Sequence, residues 1–424
     1  MQMDKTTYNS FIELLTSELR LAMGCTEPIA VAYAAAKARE VLGAMPERIE
    51  LYCSGNIIKN VKAVTVPNSG GRRGLEVATL LGAAYGDPSL ELEVVSRVSE
   101  DEIAGLQELL DRGICHCHLE TGKDNLYIRT EVFAGSDSAL VEISEKHTYI
   151  TRIEKNGEVI MTQPPLNLLK SDNSILNLQD IYKFANELDM NDVDELIDRQ
   201  IECNIKIAEE GIKNPYGSQI GRRYLEMYGE NDYRFKAVAY AAAGSDARMN
   251  GCALPVVINS GSGNQSITIS VPMIVYAKEK GISREELIRG LVFADLMALL
   301  QKKYIGDLSA YCGATCAGCA AVAGIAYIEG QPLEVLGKIV VNAISTIGGM
   351  VCDGAKSSCA AKIAASISMG FLAYDLAVND LSFKDGEGLV VEDIEETIAR
   401  VGQMGREGMR STDEEILNMM ISAK

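Results

Sequence analysis

Apolar residues recur at three- and four-residue steps between residues 5 and 22, where Phe11, Leu14, Leu15, Leu19 and Ala22 share one face of a predicted helix. The segment Met23-Gly24-Cys25-Thr26-Glu27-Pro28 breaks that pattern. Gly24 suits a helix end, and Thr26 or Glu27 ahead of Pro28 suits the cap and first turn of an Ala-rich helix over 28–42. From about residue 46 the period shortens to two, with β-branched stretches predicted as strands at 49–52, 63–66, 90–95, 127–133, 139–143 and 147–154. Helices at 75–85 and 100–111 interrupt them, and the strand-rich stretch closes near Pro164-Pro165. Beyond residue 170 the helical period returns, at 178–188, 190–211, 216–228, 231–248, 283–303, 314–328, 332–347, 355–371, 391–404 and 411–422. Of these, 314–328 and 355–371 are apolar almost all round and are predicted to be buried.

This order predicts an α+β protein: a large all-helical domain with an inserted smaller module of α/β sandwich type. The expected division is 1–45 plus 166–424 for the helical domain and 46–165 for the insertion. A chain of 424 residues is longer than one typical core, and 47% apolar content supports real cores. No repeats or low-complexity linkers interrupt it.

A formal charge of −19 argues against nucleic acid or an anionic membrane as partner, because both reward an excess of Lys and Arg. The first residues lead into a polar helix instead of an apolar signal core. No run reaches the roughly 18 to 20 apolar residues of a membrane span, so the cytoplasm is the expected location. Eleven cysteines in such a chain are expected as buried thiols or metal ligands, not as a disulfide framework.

Five of those cysteines, Cys312, Cys316, Cys319, Cys352 and Cys359, fall within 312–359. Thiolates so placed favour zinc, Cu(I) or iron–sulfur centres. The C-x3-C-x2-C spacing of the first three is also the cluster signature of radical S-adenosylmethionine enzymes. That signature belongs after the first strand of a β/α barrel, whereas this one runs into an Ala-rich helix. Cys115-His116-Cys117-His118 looks like a metal tract, but on a strand its two thiols would point one way and its two imidazoles the other. His147 reads as an ordinary strand residue, and three histidines in all leave little for a histidine-based triad or zinc site. Cys25 faces a helix N-terminus, a position expected to lower its pKa and favour thiolate. The glycine-bearing loops 67–74 and 259–266 each precede a helix and could cradle a carboxylate or phosphate.

Several motifs taken together resemble the iron–sulfur L-cysteine desulfidases of UPF0597 type, which stand beside the α-chain domain of oxygen-sensitive L-serine dehydratases. They are Gly24-Cys25-Thr26-Glu27-Pro28, Lys59-Asn60 with Pro67-Asn68-Ser69-Gly70, and Ala243-Gly244-Ser245-Asp246-Ala247-Arg248-Met249. Gly261-Ser262-Gly263-Asn264-Gln265, Cys312-Gly313 and Gly348-Gly349-x2-Cys352-Asp353-Gly354-Ala355-Lys356-x2-Cys359 complete the set. The resemblance implies α,β-elimination of L-cysteine to pyruvate, ammonia and sulfide. It implies a 4Fe-4S cluster on Cys312, Cys352 and Cys359 with one iron open to substrate. Cys25 matches a further family cysteine near the active site, as acid/base or reversible fourth ligand, and Cys316 and Cys319 fall outside the ligand set. In the serine dehydratases a final cysteine caps the open iron, but this chain ends Ile421-Ser422-Ala423-Lys424.

On this reading Lys59 is the candidate Cα base, a lysine whose pKa a closed site can bring into range. Asn60, Ser69, Gly70, Asn264 and Gln265 would orient the substrate carboxylate and ammonium. Asp353 is expected to cap the ligand loop without binding metal. The partner is a small amino acid, and a homodimer is the expected assembly. Two alternatives stand beside this one: L-serine dehydratase by the same elimination, and a structural zinc protein without catalysis.

Overall fold

The structure, a computed structural model, describes residues 3–166, 175–306 and 308–422. The chain end Ala423-Lys424 lies outside the described residues.

The period-two stretches form one six-stranded sheet from β2 (Arg48–Cys53), β3 (Cys115–Leu119), β4 (Tyr127–Ala134), β5 (Asp137–Ser144), β6 (Ile150–Lys155) and β7 (Glu158–Thr162). Its order is β3-β2-β4-β5-β6-β7, antiparallel except for the β2–β3 pair. Register places Ile49, Leu51 and Cys53 opposite Val132, Thr130 and Ile128, and these opposite Ala139, Val141 and Ile143, so one face is uniformly buried. The helices α2 (Thr26–Leu42) and α4 (Leu75–Tyr85) cover it, α2 lying across β4 and β5. The sheet layer therefore includes a helix that the expected boundary at residue 46 left outside it. Between the strands run α3 (Gly55–Val61) and α5 (Glu100–Asp111), the latter opened by a Ser99/Glu102 capping box.

Two predicted strands are absent. Residues 88–93 form a 3₁₀ turn introduced by Asp87 and Pro88, and 63–66 contributes only an isolated bridge from Thr65 to Arg73. Short apolar runs without partners on both sides cannot hold a ladder.

The remaining helices form a second layer. They are α1 (Lys5–Glu18), α6 (Leu178–Glu187), α7 (Asp194–Lys213), α8 (Ile220–Tyr228), α9 (Tyr233–Met249) and α10 (Gly263–Lys280). The chain continues through α11 (Arg284–Ile305), α12 (Gly313–Ile328), α13 (Leu333–Ile347), α14 (Cys359–Val378), α15 (Ile394–Gln403) and α16 (Arg410–Ser422). As its composition predicts, α12 is buried almost throughout, packed among α10, α11, α13 and α14. Among the described residues α14 is the one helix long and apolar enough to cross a membrane by length and composition, although no such run was expected. It packs against α9, α12 and α13. A two-stranded ribbon, β1 (Leu21–Met23) with β8 (Pro255–Val257), ties the start of the chain to the helical layer. That pairing brings the turn at Gly24-Cys25 beside the loop before α10.

Candidate active site

The first turns of four helices meet at one cleft between the sheet and the helical layer, with a cavity volume of about 120 Å³. Cys25 is the N-cap of α2, Cys312 that of α12 and Ser358 that of α14, and none of the three caps its helix with a side-chain hydrogen bond. The positive ends of these helix dipoles favour negative charge at the cleft.

Cys312, Cys352 and Cys359 all line this cleft. A bridge between Tyr311 and Val351 clamps the first two segments together: Cys312 N donates to Met350 O at 2.8 Å, and Cys352 N to Ala310 O at 2.6 Å. Asp353 fixes the loop leading to Cys359 by pairing with Lys356 and Lys362, each at 2.5 Å. Burial opposes its charge, but the two lysines hold its pKa down at about 2. Gly354 has φ +97°, and a Cβ there would lie 2.3 Å from the Lys59 carbonyl, so only glycine lets this loop lie on α3. Burial, then the neighbouring Cys352 and Cys359, push the Cys312 thiol up to about 12.

Cys316 and Cys319 take no part. Both are buried on α12, where the Cys319 thiol donates to the Gln301 side chain at 3.3 Å and to the Cys316 carbonyl at 3.2 Å. Cys115 and Cys117 sit half-buried on β3, away from the cleft, while His118 stacks on Tyr52.

Cys25 is nearly inaccessible and packs with Val64, Met249 and Cys359. Its thiol donates to Glu27 Oε2 at 2.9 Å. The expected lowering of its pKa by the helix N-terminus does not occur. Burial first, and the Glu27 carboxylate second, push Cys25 well above the ordinary thiol value, with Arg248 only partly opposing them. Glu27 was anticipated only as a cap residue, yet it organises this corner. Asn60 Nδ2 donates to Glu27 Oε1 at 3.2 Å, and His147 Nε2 lies 3.9 Å from the same oxygen. Burial would raise the Glu27 carboxyl, but His147 and the Cys25 thiol bring it down to about 2. His147 is correspondingly no strand residue: it sits in the turn between β5 and β6 and faces the cleft.

The lining also includes Arg248, Asn264 and Gln265. Arg248, at the end of α9, is 2% exposed, and neither its Nε nor its Nη2 has a hydrogen-bond partner. Burial lowers its pKa, opposed by negative charge at Cys25, Glu27 and Cys359. The side-chain oxygens of Asn264 and Gln265 are likewise buried and unpartnered. The motif at 243–249 contained Arg248, but periodicity and spacing gave it no task.

Three expected site residues lie elsewhere. Lys59 is buried on α3, ion-paired with Asp413 of α16 and donating to the Cys352 carbonyl at 3.2 Å. Its ammonium is thus committed behind the ligand loop and does not line the cleft, which removes it as the Cα base. Ser69 is consumed by its own turn, donating to Val66 O at 2.7 Å and accepting from Arg72 N at 3.0 Å. Gly70 adopts φ +68° in that turn. This loop instead supports Cys25 from behind, for Pro67 packs on Gly24 so closely that a Cβ there would lie 2.1 Å from its ring.

A two-layer fold with a thiol-lined cleft at converging helix N-termini defines a class, and sequence comparison places the chain within it. The profile of the serine dehydratase alpha chain family matches residues 89–418, and the chain belongs to that family. It is similar to the UPF0597 protein of Finegoldia magna, 48% identical over 97% of this chain and 99% of that one. It also resembles the UPF0597 proteins of Lachnoclostridium phytofermentans (43% identical, 98% and 100% covered) and Treponema denticola (40%, 99% and 100%). The family is one of lyase-like enzymes that typically depend on an iron–sulfur group.

The residues present fit such a group. Three thiols from two segments face one cavity, with the N-termini of α12 and α14 at Cys312 and Cys359 favouring anionic sulfur. Among the described residues no three His, Cys, Asp or Glu side chains are gathered tightly enough to be a ready-made site for a single ion.

Proposed function

We propose that the protein is an L-cysteine desulfidase, eliminating the β-thiol of L-cysteine to give sulfide, pyruvate and ammonia. The observation that carries this reading is the gathering of Cys312, Cys352 and Cys359 with Cys25 around one cleft that also holds buried, unpartnered polar groups. Cys312, Cys352 and Cys359 would hold a 4Fe-4S cluster. When bound, it supplies Lewis acidity toward the departing sulfur at a position the protein leaves open.

Elimination also needs the Cα proton to be taken up, and Cys25 with Glu27 is the group placed for this. For sulfur to take up the Cα proton, the hydrogen that the thiol already donates must pass to the Glu27 carboxylate at 2.9 Å, so the pair gains one proton and ends as thiol and carboxylic acid. Asn60 and His147 keep that carboxylate turned toward Cys25. Burial of Cys25, Glu27 and Arg248 keeps bulk water from these groups. The aminoacrylate released then hydrolyses without further help.

Anaerobically prepared protein, assayed for iron, acid-labile sulfide and turnover, tests this. The expected result is brown protein that yields sulfide and pyruvate in equal amounts from L-cysteine. Colourless protein holding one zinc and forming no pyruvate would overturn it. The family match favours a second reading, L-serine dehydratase, in which hydroxide leaves. A higher kcat/KM on L-serine than on L-cysteine would decide for that one.

A further inference from the structure

Two buried charges of opposite sign face this cleft, and among the ion pairs of the described residues none joins them. Glu27 and Arg248 both line it and both are buried. Nature seldom leaves a guanidinium buried with its donors unused, because the desolvation cost is recovered only when an anion arrives. The Arg248 fork is held ready by Gly263, whose missing side chain would otherwise lie 2.5 Å from Arg248 Nε. That close approach also brings the first turn of α10 alongside the guanidinium, adding its dipole to the positive charge. The unpartnered oxygens of Asn264 and Gln265, one residue further along, are acceptors and suit the cationic part of a ligand.

We propose that Arg248 is the carboxylate anchor of the site, and that Arg248 and Glu27 together select a zwitterionic α-amino acid, its carboxylate on the guanidinium and its ammonium toward Glu27. This deepens the elimination reading and takes its site from it. An amine lacking the carboxylate, or an acid lacking the ammonium, would satisfy only one of the two. The planar fork matters as well as the charge, since a carboxylate fits two parallel N–H donors and a lysine ammonium offers no such pair.

The test is calorimetric binding of L-alanine, which has no leaving group, alongside ethylamine and propionate. Wild-type protein should bind L-alanine more tightly than either fragment. Arg248→Met should weaken L-alanine and propionate on the order of 100-fold and leave ethylamine unchanged. Its melting temperature should stay level or rise, because an unpaired buried charge has been replaced by a side chain that packs. Arg248→Lys, which keeps the charge but not the fork, should bind L-alanine at least about ten-fold more weakly than wild type, and it decides the matter if the methionine variant does not fold. Wild-type affinity for L-alanine in whichever variant folds, or no L-alanine binding by the wild type, overturns the proposal. The two readings fail separately. Arg248-dependent L-alanine binding by a protein without lyase activity would sink the elimination and keep the anchor, whereas lyase activity with an unchanged KM in Arg248→Lys would do the reverse.

Discussion

Two polar clusters flank the loop before α10, one bonded mostly within itself and one not. On the helical side Gln200 donates to Ser266 at 3.0 Å and to Asp295 at 3.1 Å, and Asn259 donates to the same Asp295 oxygen at 2.9 Å. Asn204 completes the set, donating to Ser266 and Ser270 and accepting from Val257 N at 3.0 Å. All are fully buried and touch no cavity described above. The cleft cluster differs in kind. Arg248 and Gln265 are buried and Asn264 half-buried, and all three line the cleft with side-chain atoms that have no partner. A network knit closely to itself, with Gln200 Oε1 and Asp295 Oδ2 left over, specifies packing, whereas unpartnered side chains that line a cleft suit a ligand.

The most damaging way to test the contrast is to remove a cleft thiol. Cys312→Ala, Cys352→Ala and Cys359→Ala should each retain the fold by circular dichroism but bind little iron. Activity should fall by more than about 100-fold, given that even an outer partner of a metal ligand is worth 10- to 100-fold. Cys316→Ala, at a buried packing position, should keep iron and activity. Next in size, Glu27→Gln removes the acceptor of the Cys25 proton. We expect kcat to fall on the order of 100-fold with iron content unchanged, the scale of a lost general base.

A smaller effect separates a paired buried charge from the unpaired one. Asp413→Asn strands the Lys59 ammonium and should cost about 3 kcal/mol in chemical denaturation. Lys59→Met strands the more exposed Asp413 carboxylate, so it should destabilise by less than Asp413→Asn, and it should keep activity within about ten-fold, where a true Cα base would lose at least about 100-fold.

The slightest change at any one pH concerns Asp295. Burial pushes its carboxyl from the ordinary 3.8 to about 7, with Gln200 and Asn259 pulling the other way. A folded-state value above the unfolded one means the native state holds the proton. Its stabilising contribution is complete below about pH 4 and is lost as pH rises through 7, at up to about 1.4 kcal/mol per pH unit. Asp295→Asn, neutral at every pH, should flatten that slope between about pH 4 and 7.

Much of this architecture was legible because long periodic segments leave little choice. The helix predicted at 283–303 is found as Arg284–Ile305, with Ser283 as its cap. Short segments were less readable. The stretch from Ser54 to Asn60 looks like a glycine loop, yet Gly55–Val61 is helical because Ile57, Val61 and Lys59 are drawn into the interior. The three cysteines expected as ligands stood out through their motifs and line one cleft. Lys59 did not join them because its partner Asp413 is remote in sequence, and Ser69 because its own turn uses its hydroxyl. Arg248 and His147 were missed, since nothing local distinguishes a buried guanidinium with idle donors from one that is satisfied.

Behind Cys352 three remote stretches of chain converge: the ligand loop, α3 through Lys59, and α16 through Asp413. A protease that trims the last helix would leave an ammonium without its counter-charge directly beneath a sulfur ligand. The far end of the chain therefore braces the back of Cys352, and losing it would loosen one edge of the cleft.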